Sequence, residues 1–109
     1  MPMTDTVIKL IAPAERYQDD NGIWRTRNQT EREIFARISS IGRNEFFSAG
    51  EAGYRPEHQF TVFAAEYQGE PTCEYEGTVY AIYRTYHVPG TDALELYVQR
   101  KVGVSNGSQ

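Results

Sequence analysis

The chain is short of cysteine, of long apolar runs and of positive charge, and each shortage excludes something. Its one cysteine, Cys73, cannot close an internal disulfide, which predicts a reducing compartment such as the cytoplasm. No apolar run approaches the roughly 20 residues that a membrane helix needs. Met1 to Ile11 carries Asp5 and Lys9 and has no small-residue cleavage site, so no signal peptide is expected. A formal net charge of -4 argues against a nucleic-acid binder, whose footprint is basic. The 2 histidines, His58 and His87, stand far apart with Cys73 between them. Neither has the spacing of a zinc site or a Cys/His nucleophile pair, and both read as solvated strand-edge residues. Gly50-Glu51-Ala52-Gly53 lacks the lysine and the spacing of a phosphate loop. The chain is therefore expected to be no enzyme, with no cofactor and no metal.

What is present favours β structure. The 109 residues suit one domain, and 8 Tyr and 5 Phe are typical of strands. Apolar and polar residues alternate over Thr6 to Ile11, Glu31 to Ser40, Glu57 to Tyr67, Thr78 to Val88 and Ala93 to Val104, with shorter runs at Glu15 to Gln18, Ile23 to Thr26 and Thr72 to Tyr75. The inward sets are expected to be Ile8 and Leu10; Ile34, Ala36 and Ile38; Phe60, Val62 and Ala64; and Leu94, Leu96, Val98 and Val102. On the last strand Glu95, Tyr97, Gln99 and Lys101 are expected outside. Thr78 to Val88 is apolar on both faces, which requires a central position or a covering neighbour.

Turn chemistry separates these runs. Asp19-Asp20-Asn21-Gly22 reads as a hairpin with a type I′ Asn-Gly turn; it lacks the later ligands of a calcium loop. Glu76-Gly77 is a second two-residue turn of that type, and Val88-Pro89-Gly90-Thr91 fits type II. The expected fold is all-β with one short helix: a small antiparallel barrel of six or seven strands over residues 1–104, followed by a flexible tail at 105–109.

The stretch from Ile41 to Pro56 breaks the alternation. It predicts a helix from about Arg43 to Ala49, with Gly42 as N-cap and Gly50 as the C′ stop, then a mobile tail from Gly50 to Gly53. So short a helix does not persist alone; Phe46 and Phe47 are expected to dock it on the barrel or on another subunit. Phe35, Phe63, Tyr67, Tyr75, Tyr83 and Tyr97 exceed what so small a barrel can hold, and exposed aromatics mark interfaces. The carboxylates Glu66, Glu70, Glu74 and Glu76 gather around one hairpin, where a solvated rim outweighs acid–base chemistry.

Several blocks of the chain resemble the head–tail joining proteins of tailed phages, the head-closure or stopper connectors. They are Asp19 to Gly22 with Trp24 and Glu33-Ile34-Phe35-Ala36-Arg37-Ile38; Ser39 through Gly50; Pro56-Glu57 with Phe60-Thr61-Val62 and Glu66 to Glu70; and Tyr75, Gly77, Tyr80 to Tyr86, Leu94 to Tyr97 and Arg100-Lys101. Gly42 departs from the serine cap expected before Arg-x-Glu. The resemblance implies a virion protein, made in the host cytoplasm, that forms a ring beneath the portal and adaptor, retains packaged DNA and docks tail proteins. A tail-side joining protein of the same barrel is the alternative, and a small ligand-binding or hydrolytic barrel using the Glu66–Glu76 rim is another. No membrane is involved, and DNA only passes through the channel, which suits an acidic chain because phosphate is gripped by Lys and Arg. Mapped onto this sequence, the contacts are Phe46, Phe47, Tyr54 and Arg55 on the projecting segment with Arg84 and Tyr86 on the strand. The aromatics pack and the arginines pair across subunits. Gly50, Glu51, Ala52 and Gly53 form the expected channel gate.

Overall fold

A computed structural model describes residues 5–101. The end of the last expected strand, with Val102, and the tail at 105–109 lie outside the described residues, as do residues 1–4. Eight strands and one α-helix follow in order: β1 Thr6–Ala12, β2 Glu15–Gln18, β3 Trp24–Arg27, β4 Thr30–Ser39, α1 Arg43–Glu51, β5 Pro56–Phe63, β6 Thr72–Tyr75, β7 Thr78–His87 and β8 Ala93–Arg100. Six of them close an antiparallel barrel in the order β1-β4-β5-β8-β7-β6, while β2 and β3 pair only with each other as a separate ribbon. Closure leaves the barrel no free edge to pair with another chain.

Alternation dictates the core. Ile8 faces Ile34, Leu10 faces Cys73, Cys73 faces Tyr80 and Phe60 faces Leu96 across their ladders. These residues, with Ala36, Val62 and Val98, form the buried interior. Ile38 and Leu94 pack at its margin. Ala64 does not join them. The strand expected to reach Tyr67 ends at Phe63, and Ala64–Glu66 makes a 3₁₀ turn instead. There the Ala64 amide donates to the carbonyl of Asp92, in the loop before β8, rather than to a ladder partner.

Two turns follow their chemistry and one does not. Glu76 and Gly77 both have positive φ (50° and 82°), as a type I′ turn demands. Gly90 at φ 77° and the Thr91 amide bonded to the Val88 carbonyl fit type II. At Asn21-Gly22 only Gly22 is left-handed. The Asp19 carboxylate accepts from the amides of Asn21 and Ile23, so the loop is wider than a two-residue turn and organised by that aspartate. The ribbon is mostly solvated, and stacking of Arg16 over Trp24 and of Arg27 over Tyr17 braces it.

Candidate functional site

The helix α1 begins at Gly42, which is extended and offers no side-chain cap. Its end corrects the expected boundary. Gly50 lies inside the helix, and Gly53, at φ 93°, takes the left-handed C′ position. The Gly53 amide donates to the Gly50 carbonyl and the Tyr54 amide to the Ala49 carbonyl (2.8 Å), the paired bonds of a Schellman cap. The segment Gly50 to Gly53 is thus the last turn of a helix and its hydrogen-bonded cap, not a loose tail.

How α1 is held is the second correction. Phe46 and Phe47 do not dock it on the barrel; they remain 53% and 62% exposed, edge to face with each other. The contact is made by Glu45, Ala49 and Tyr54. Ala49 is buried. One oxygen of Glu45 accepts from the Tyr83 hydroxyl (2.8 Å) and the other from Arg84 Nη2 (2.6 Å). Tyr54 stacks on Tyr83 with centroids 4.6 Å apart.

A bulge makes this grip possible. Consecutive strand residues normally point to opposite faces. Here Ile82 pairs with Val98 and Arg84 with Tyr97, leaving Tyr83 as an extra residue between them. The bulge turns both Tyr83 and Arg84 outward, and both reach Glu45. Arg84 also lies 4.2 Å over the Tyr97 ring. Tyr97, expected outside, is therefore outward-pointing yet buried beneath this assembly at 7% exposure. The double-faced apolar character of β7 is explained in the same way: α1 and Tyr54 are the covering neighbour.

The electrostatics lock the arrangement. Burial pushes the Glu45 carboxyl up, but hydrogen bonds from Arg84 and Tyr83 outweigh it and hold it below the usual range. Burial, then the bond to Glu45, push the Tyr83 hydroxyl well above its ordinary value, so it stays a donor. Burial and the bond to Glu95 push Tyr97 up to about 12.

The expected contact residues divide accordingly. Phe46, Gly50, Gly53, Tyr54 and Arg55 line one surface depression of about 500 Å³. Arg84 takes part in the intrachain grip, its guanidinium paired with Glu45. Tyr86 joins neither group; it stands exposed farther along β7, opposite Glu95. Glu45 and Tyr83, which organise the site, were not among the expected contacts. The available signal was the run Tyr83-Arg84 in a strand that needed a cover.

The carboxylate rim is also revised. Glu70 is buried at 5% exposure, not solvated. Its Oε2 accepts from Arg32 Nε (3.0 Å) and Nη2 (2.6 Å), and its Oε1 from the Gln68 amide (2.9 Å). Burial raises its carboxyl, yet these bonds bring it below the ordinary value. An ionised carboxylate with its acceptor sites filled is a clasp between β4 and the 64–71 loop rather than a proton donor. His58, expected in solvent, is half-buried with its ring 5.3 Å from Tyr80 and 5.7 Å from Tyr75. A groove of about 740 Å³ runs past Ile11, Pro71, Val79 and Tyr83. No buried side-chain polar atom among the described residues lacks a partner. No helix of the described residues is long and apolar enough to cross a membrane. Compared with protein-family models and with curated proteins, the chain finds no match.

Proposed function

We propose that this chain is a head–tail connector of a tailed phage or prophage: a closed β-barrel that assembles as a ring beneath the portal and adaptor, retains packaged DNA and docks the tail. The observation that carries the reading is surface. A barrel with no free edge still leaves Phe35, Phe46, Phe47 and Tyr86 in water, each between 45% and 62% exposed. Apolar groups on that scale call for a protein partner. The ordered blocks of resemblance favour a ring of this chain, with portal, adaptor and tail proteins, as that partner. In this reading α1 is the element presented towards the channel or the neighbouring subunit, latched to the wall by Glu45. The capped turn Gly50, Glu51, Ala52 and Gly53 is its channel-side tip, and it closes the channel as a folded unit.

The test is mixing. The purified chain, combined with portal–adaptor assemblies produced from the same genome, should co-sediment as a ring of added density at the portal mouth under the electron microscope. A chain that binds neither those assemblies nor the tail proteins overturns the reading. Within the carboxylate rim, Glu70 is committed to Arg32 and the Gln68 amide.

A further inference from the structure

The outer surface of the barrel carries two patches of opposite net charge, the acidic one interrupted by Arg37 beside Phe35 on β4. On one side Val7 and Phe35, cross-strand partners on β1 and β4, are 45% and 55% exposed. They share shallow depressions with Glu33, Glu66, Glu74 and Glu76. None of these four acids enters an ion pair among the described residues; Lys9, lying among them, is taken by Glu31. On the other side are Phe46 and Phe47, flanked by Arg43 and Arg55. Those arginines also enter no ion pair among the described residues, and they outweigh the nearby Glu51.

The centres of the two patches lie on opposite strands of the barrel, with Glu74 and Tyr54 lining one groove between them. In the closed order β1-β4-β5-β8-β7-β6, β1 and β8 stand across the barrel from each other. The acidic patch is centred on β1, while α1 bonds β7 through Glu45 and approaches β5, the two strands that flank β8. Copies of a chain with net charge -4 repel each other unless their charges are segregated and opposed. A two-fold dimer needs one patch that complements itself. Two different, complementary patches on opposite sides make a head-to-tail contact, which closes into a ring when its rotation divides the circle.

We propose that the α1 face of one copy, Phe46, Phe47 and Arg43, seats on the β1–β4–β6 face of the next, Phe35, Val7 and Glu33. The proposal rests on the ring-forming reading above and names its contact. Complementary potentials set the register, and the aromatic groups supply the buried area.

Sedimentation of the full chain, from micromolar to about millimolar concentration, tests it. The wild type should associate beyond a dimer. Phe35→Ser alone, or Phe46→Ser with Phe47→Ser, should weaken association at least about tenfold, since all three side chains are exposed and folding is spared. Each variant retains one good face, so a mixture of the two should form a one-to-one heterodimer and nothing larger. Arg43→Glu should weaken association, and Glu33→Arg added to it should restore it. A wild type that stays monomeric throughout, or a mixture without heterodimer, overturns the proposal. Wild-type association untouched by these changes overturns this contact but leaves the head–tail reading standing. Association through this contact, in a chain that binds no portal assembly, does the reverse.

Discussion

Glu45 is the residue whose removal should be felt most specifically, because it alone ties α1 to both Tyr83 and Arg84. In Glu45→Ala the Arg84 pair is lost; with the arginine side chain 44% exposed, that pair is worth about 0–1 kcal/mol. The Tyr83 hydroxyl loses a charged acceptor in a half-buried setting, a loss of about 1.5–3 kcal/mol. Arg84 keeps its place over Tyr97, and Tyr54 keeps its stack on Tyr83. The net loss is about 2–3 kcal/mol, and it falls on helix docking, because a helix of 9 residues does not persist undocked. Amide hydrogen exchange should therefore quicken roughly 30- to 150-fold across α1 while the β1, β4 and β5 amides keep their protection. Tyr83→Phe, which removes only the hydroxyl, should cost about 1 kcal/mol. The effect has a pH signature. The folded carboxyl lies below its ordinary value of 4.5, so its contribution is complete above that pH and is lost as pH falls through the folded value. Glu45→Ala should abolish that acid-side loss of α1 protection. Wild-type exchange rates in α1 of Glu45→Ala would refute the latch.

Glu70→Gln leaves Arg32 partly buried without its counter-ion and should cost about 2–4 kcal/mol in urea unfolding at pH 7. Because the Glu70 carboxyl is also depressed, that difference should shrink as pH falls through its folded value. Gly53→Ala should cost about 1–2 kcal/mol from its left-handed backbone. Gly50→Ala, inside the helix with open space around it, should instead stabilise by about 0.5–1 kcal/mol, and thermal melts of the two variants separate them. Cys73 is fully buried and burial pushes its thiol up to about 12. Alkylation at pH 8 should accordingly proceed only at the rate of barrel opening; fast labelling of the native chain contradicts a closed core.

Much of the barrel was legible because each inward residue announces itself by alternation. Ile8 and Leu10, Ile34 and Ala36, and Leu96 and Val98 needed only period two, and Glu76-Gly77 and Pro89-Gly90 carry their turns in their own backbone demands. What failed depends on distant residues or on choices between local equivalents. Gly50 and Gly53 are both suitable helix stops; the apolar Tyr54 that follows Gly53 and stacks on Tyr83 decides between them. Asn21-Gly22 names a tight turn, but the Asp19 carboxylate offers the amides of Asn21 and Ile23 a better partner. Burial of Tyr97 and Glu70 cannot be read from alternation. One is covered by a helix from another part of the chain, the other clasped by Arg32 from across the sheet. The bulge at Tyr83 leaves no motif, since nothing in Ile82-Tyr83-Arg84 reveals that two neighbours share a face.

The most direct test of the head–tail reading is to make particles from the genome that encodes this chain, with and without its gene. Electron microscopy and a nuclease-protection assay then read the outcome. Without the chain, heads should fill and then lose their DNA, and no tails should attach; supplying the chain in trans should restore both. Tailed particles that keep their DNA in its absence would contradict the reading outright.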